Sequence, residues 1–364
     1  MEYSGHMRVL LNCNFTIPMK KKIQTALPQQ KNHLRVPILF TYIFHSLVFC
    51  FLAGVVYSAY IHRTSIKPVV ADKIDQPEKM QMVQNRDYNF VKPLRLTDLP
   101  VESEQMKGVK HDILMYLETQ KKAGQLDEAS VYLRRMNDGD WISINDNETF
   151  KPGSMFKIPL LIYYLKVAET YPGYLKREFV YDRPIANPKH ETFKGNSLVF
   201  GKKYKVEELL NNMIVYSDNI ATTLLLLHME KPAVYQKIYS DLGIPVPDPK
   251  DDKYKITAKD ISKFMRVLYS STYLNESSSE YAMELMTRSD FNDGIANKLP
   301  KDVKIARKFG EAGDAKKPDF SETGIIYSGN NTYLLTVMTR GAEPKQQAET
   351  ISGISKIVYD EMKE

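Results

Sequence analysis

The chain has 364 residues, enough for one large domain with appendages or for two domains. Its hydrophobic share of 43% and charged share of 26% place it among globular proteins. The net charge of +6 is modest and spread out, with no Arg-rich or aromatic-interleaved basic run, which argues against nucleic-acid binding.

The N-terminal segment carries Lys20, Lys21, Lys22, Lys31 and Arg35 ahead of residues 36–61, which hold no charged residue. A bilayer-spanning helix needs about 20 such residues. Tyr57 and Tyr60 suit an interfacial belt, and the smaller basic excess of Arg63 and Lys67 follows. The reading is a cytoplasmic segment (1–35), a single transmembrane helix (36–61), a linker (62–104) and an extracytoplasmic domain (105–364) at the cell membrane. A cleaved signal peptide is the rival reading; the long leading segment and long apolar run argue against it. The two cysteines, Cys13 and Cys50, leave the domain without an internal disulfide. The seven histidines show no ligand spacing, so no metal and no cofactor are expected.

Within the domain, Val109 to Lys122 has helical apolar spacing. Val131–Leu133 and Trp141–Ile144 read as strands around the turn signal Asn137-Asp138-Gly139-Asp140. A helix begins at Ser154. Lys205 to Met229 holds a long helical region, with Ser217-Asp218-Asn219 at a helix boundary ahead of the Ala221 helix, whose Ala221–Leu227 run is apolar enough to be buried. Thr257 is placed to cap a further helix. Val303–Arg307, Ser321–Tyr327 and Tyr333–Thr339 read as strands, and Glu349–Met362 as a closing helix. Strands at both ends of the domain with helices between predict a mixed α+β fold.

Ser154 and Lys157 stand at i and i+3 in Gly153-Ser154-Met155-Phe156-Lys157, on one helix face. A serine hydroxyl becomes a nucleophile when a base takes its proton, and a desolvated lysine is such a base. Alone, the pair reads equally as a capping serine and a solvated lysine. Ser217-Asp218-Asn219 alone is capping chemistry, and Lys308-Phe309-Gly310 alone is a strand end.

In this order the three motifs resemble the signature of class A β-lactamases and the related penicillin-binding proteins. The flanking Glu207–Ile214, Thr323–Tyr327 and Tyr333–Gly341 resemble the family's segments too. The resemblance implies an antiparallel sheet flanked by helices, with a helical subdomain. It implies acyl transfer to Ser154 with Lys157 as base or relay, and Ser217 passing a proton to the leaving nitrogen. Asn219 and Lys308 would bind substrate beside Gly310, and the backbone N–H groups of Ser154 and Glu311 would form the oxyanion hole. The ligand would be a small β-lactam or a cell-wall peptide.

Two departures stand out. Phe309 replaces the family's hydroxyl residue and cannot donate a hydrogen bond to a substrate carboxylate. Leu242–Ile256 lacks the family's water-activating Glu; Asp248, Asp251 and Asp252 there read as turn residues. Three functions therefore stay open: a β-lactamase-type hydrolase of cyclic amides, a penicillin-binding peptidase-like protein with slow deacylation, and a membrane-tethered binding module.

Overall fold

The structure, a computed structural model, describes residues 101–185, 198–248, 253–313, 316–329 and 331–363. All of them fall in the second of the two units into which the chain divides, Pro77–Glu364. The expected transmembrane helix at 36–61 and most of the expected linker lie outside the described residues. Among the described residues no helix is long and apolar enough to cross a membrane.

The first helix, α1 (Lys107–Lys122), precedes the hairpin β1 (Glu128–Arg135) and β2 (Trp141–Ile144). Gly139 makes the turn at φ +82°. Residues 101–104, read as linker, already dock on this hairpin: the Ser103 N–H donates to Trp141 O at 2.9 Å, and Glu102 accepts from the Ser143 N–H at 3.0 Å. The chain returns to the sheet only at β5 (Lys304–Gly313), β6 (Pro318–Tyr327) and β7 (Tyr333–Arg340). The sheet has five strands in the order β2-β1-β7-β6-β5, every neighbour antiparallel. Strands from both ends of the domain share it, as the pattern predicts.

Both faces are covered, which is why β6 and β7 are nearly continuously buried instead of alternating. Val131, Leu133, Leu335 and Val337 pack with Ile113 of α1 and with Ile351, Ile354 and Val358 of the last helix, α8 (Pro344–Met362). Tyr132, Ala306, Ile325 and Met338 face a helical core built on α2 (Lys157–Thr170). That region also holds α3 (Val206–Val215), α4 (Asn219–Leu227), α5 (Pro232–Asp241), α6 (Ala258–Tyr269) and α7 (Glu276–Thr287), with the short hairpin β3 (Glu178–Val180) and β4 (Lys203–Lys205).

The boundary expected within 205–229 separates two helices, because Ser217 takes φ +56° and Asp218 caps a new start through the Ala221 N–H at 2.7 Å. Two expectations change. Leu226 and Leu227, expected to be buried, are 41% and 52% exposed at the end of the second helix. Lys308-Phe309-Gly310 does not follow a strand but lies inside β5, whose glycines and charges hid its length. Thr257 caps α6 as expected, accepting from the Asp260 N–H at 3.0 Å.

Candidate active site

Ser154 sits in a single 3-10 turn, Gly153–Phe156, that runs directly into α2 at Lys157. The turn is pressed against the free edge of β5. A Cβ on Gly153, which has φ +52°, would lie 2.5 Å from Glu311 O and 2.7 Å from Glu311 N. One on Gly310 would lie 2.2 Å from Pro152 O and 3.1 Å from Ser154 N. Only glycine fits at both crossings. The two amides expected to form an oxyanion hole therefore belong to backbones in direct apposition. The approach to the turn is fixed from the sheet. Asp319 accepts from the Lys151 N–H at 2.8 Å, and Arg340 donates to Asp319 at 2.7 Å, to Glu148 at 3.1 Å and to Thr149 O at 3.0 Å.

Lys157 is fully buried. Its ammonium donates to Ser217 O at 2.5 Å, to Asn219 Oδ1 at 2.8 Å and to Ser217 Oγ at 3.2 Å. The break between α3 and α4 makes this possible. The left-handed Ser217 turns its carbonyl and hydroxyl toward Lys157, and Asn219 opens the next helix one residue beyond the cap. Asp218 between them is spent on capping α4. Burial pushes its carboxyl above the usual range, while the Ala221 and Ile220 N–H groups and the Lys157 charge pull the other way.

Lys308 approaches from the sheet and is fully buried as well. It donates to Ser217 Oγ at 3.0 Å and to Phe309 O at 2.9 Å, and its Nζ lies 4.1 Å from the centre of the Phe309 ring. Ser217 Oγ thus stands between two lysines from opposite walls. The phenyl ring that replaces the family's hydroxyl packs on Phe291 at 4.3 Å and Phe320 at 6.1 Å between ring centres.

The structure therefore gathers Lys157, Ser217, Asn219 and Lys308 into one hydrogen-bonded cluster, and Ser154, Gly310 and Glu311 into one backbone crossing. Sequence reading missed the supports. Arg340 and Asp319 brace the approach to Ser154, and Arg307 and Glu322 lie behind Lys308. The only signal in the sequence was charge inside apolar strands, as in Ser321-Glu322-Thr323-Gly324-Ile325.

The described parts of the segment between α5 and α6 touch the approach to this region at one point. Ile256 pairs with Phe150, four residues before Ser154, and the Tyr254 hydroxyl donates to Pro245 O at 2.9 Å. Asp248 is exposed; Asp251 and Asp252 lie outside the described residues.

Solved structures of known proteins share this fold. A beta-lactamase from Chitinophaga pinensis aligns over 70% of this chain and 99% of its own, at 16% identity and a TM-score of 0.60. The extended-spectrum beta-lactamase TLA-3 aligns over 71% and 100%, at 16% identity and a TM-score of 0.62. PBP-A, in an acyl-enzyme complex with penicillin G, aligns over 72% and 98%, at 19% identity and a TM-score of 0.60. At such identities these likenesses speak for the fold. A comparison with curated protein sequences returned no match. The sequence model of the beta-lactamase enzyme family matches residues 112–362, spanning the sheet, the helical region and every residue of the cluster. The chain belongs to the beta-lactamase enzyme family.

Proposed function

We propose that this protein is a class A-like serine hydrolase that forms an acyl-enzyme on Ser154 with a β-lactam or a related amide or ester. The observation that carries the reading is Ser217 Oγ, 3.2 Å from the Lys157 ammonium and 3.0 Å from that of Lys308. Ser154 Oγ bonds to the carbonyl carbon as its proton passes to Lys157. The C–N bond then breaks, and the nitrogen takes a proton through Ser217. The amides of Ser154 and Glu311 hold the oxyanion, and Asn219 and Lys308 hold the substrate.

A second reading has its own support: Leu242–Ile256 contains no Glu. A penicillin-binding, peptidase-like protein would complete acylation and then release slowly. Both readings predict labelling by fluorescent penicillin that Ser154→Ala abolishes. Stopped-flow with a chromogenic cephalosporin separates them, since sustained turnover supports the hydrolase and a stoichiometric burst supports the trap. A protein that takes neither penicillin nor a fluorophosphonate would be a binding module. The reading also tethers the domain outside the cell membrane through residues 36–61. Deleting them should move the protein from the membrane fraction to the soluble one.

A further inference from the structure

Behind the cluster, Arg307 and Glu322 form a buried charged pair that acyl transfer does not use; they are 6% and 0% exposed. Arg307 Nε lies 3.6 Å from Glu322 Oε1. Both side chains grip the segment 289–295. The guanidinium donates to Phe291 O at 2.7 Å, Asn292 Oδ1 at 2.8 Å and Ser289 O at 3.2 Å. Glu322 Oε2 accepts from the Ile295 N–H at 2.7 Å, against a glycine: a Cβ on Gly294 would lie 1.9 Å from that oxygen. Glu322 Oε1 has no hydrogen-bond partner among the described residues.

The other contacts of this segment reach both walls of the site. The Asp290 N–H donates to Val215 O at 3.0 Å, at the end of α3 and two residues before Ser217. The Phe291 ring packs on Phe309, whose face meets the Lys308 ammonium. We infer that segment 289–295, clamped by Arg307 and Glu322, is a strut that sets the Ser217–Lys308 gap and makes those two residues positioning residues for acylation. The inference rests on the acylation reading above.

The charged groups acting on Glu322 are Arg307 and Lys308 of β5 and Asp293 of the segment itself. Burial outweighs the two cations and raises the carboxyl to about 7. Only the ionised form attracts Arg307 and steadies the charge on Lys308. The Glu322 arm of the clamp therefore carries its charge above neutral pH and loses it below, while the Arg307 bonds to Ser289, Phe291 and Asn292 do not depend on it.

The test compares acylation rate constants of the full-length wild type and Glu322→Gln with a fluorescent penicillin across pH. Any other pH effect on acylation is common to both proteins, so their ratio is the readout. The expected ratio is about one near pH 5.5 and about three to ten near pH 8.5, with the wild type faster. Glu322→Gln should be no less heat-stable than the wild type at the higher pH, which a merely structural defect would not produce. In a Lys308→Ala background the ratio should fall to about one, because the effect acts through Lys308. A ratio of one at every pH, or one unchanged by Lys308→Ala, would overturn the strut alone. Absence of wild-type labelling would overturn the acylation reading together with it.

Discussion

The two halves of the proposed hydrolytic cycle fall on unequal parts of this molecule. The acylating cluster is buried and cross-linked: Lys157 and Lys308 are both at 0% exposure and share Ser217 Oγ. In the stretch from Leu242 to Ile256, where the family's deacylating residue is expected, Ile244 and Ile256 are buried and Pro245, Val246 and Asp248 are exposed, while residues 249–252 lie outside the described residues. A side chain can serve as a catalytic base only when its position and its solvation are both controlled. The cluster meets that requirement from three elements at once, α2, the α3–α4 break and β5.

The comparison breaks most readily at Lys157. Lys157→Ala should slow acylation about 10²- to 10⁴-fold while the fold persists, measured by fluorescent penicillin labelling against time. Undiminished labelling would remove the base from the rigid half.

The next effect is on stability. The Glu322 carboxyl, raised to about 7, holds its proton more tightly in the folded chain than in the unfolded one. Its contribution is full below the ordinary Glu pKa near 4.3 and is lost as pH rises through about 7, on the order of 3 kcal/mol. Urea unfolding at pH 5 and pH 8 should show the wild type losing more stability over that interval than Glu322→Gln. Equal losses would place no charge cost behind the cluster. Together with the strut, this is a site whose working charge state is the less stable one.

Phe309→Thr sharpens the substrate side. A hydroxyl beside Lys308 should speed acylation by a carboxylated penicillin about tenfold, the worth of a hydrogen bond to a charged group. The same change removes the contacts with Phe291 and Phe320 and should lower stability by about 2–4 kcal/mol. No gain in rate would mean that Phe309 does not govern recognition.

The smallest effect is expected in the loop. Asp248→Ala should leave the deacylation rate within about twofold, since an exposed carboxylate makes a poor positioned base. A tenfold fall would make Asp248 the missing base and erase the contrast between the two halves.

Much of this was legible from residue order. The i, i+3 spacing of Ser154 and Lys157 is plain from residue order, and the Asn137–Asp140 turn followed from its residue types. The helix boundary at Ser217-Asp218-Asn219 was legible from its capping residues, but the left-handed turn of Ser217 was not, because the chain is apolar at helical spacing on both sides of it. Local periodicity cannot report a left-handed residue whose cost is offset by the Lys157 bonds it enables. The full length of β5 was hidden for a related reason. Gly310 weakens a strand locally, and its benefit is the room it leaves for Pro152 and Ser154, far away in the chain.

By itself, then, the sequence determined the α+β fold class, a sheet with strands from both ends of the domain, and the three motifs on which the proposed chemistry rests. These depend on residue type and short spacing. Only the tertiary structure decided that two lysines converge on one hydroxyl, that a phenyl ring faces one of them, and that Arg307 and Glu322 stand behind both walls. Apart from the neighbours Lys308 and Phe309, those contacts join residues 15 to 91 positions apart. They are set by strand register and helix packing, which no local pattern along the chain encodes.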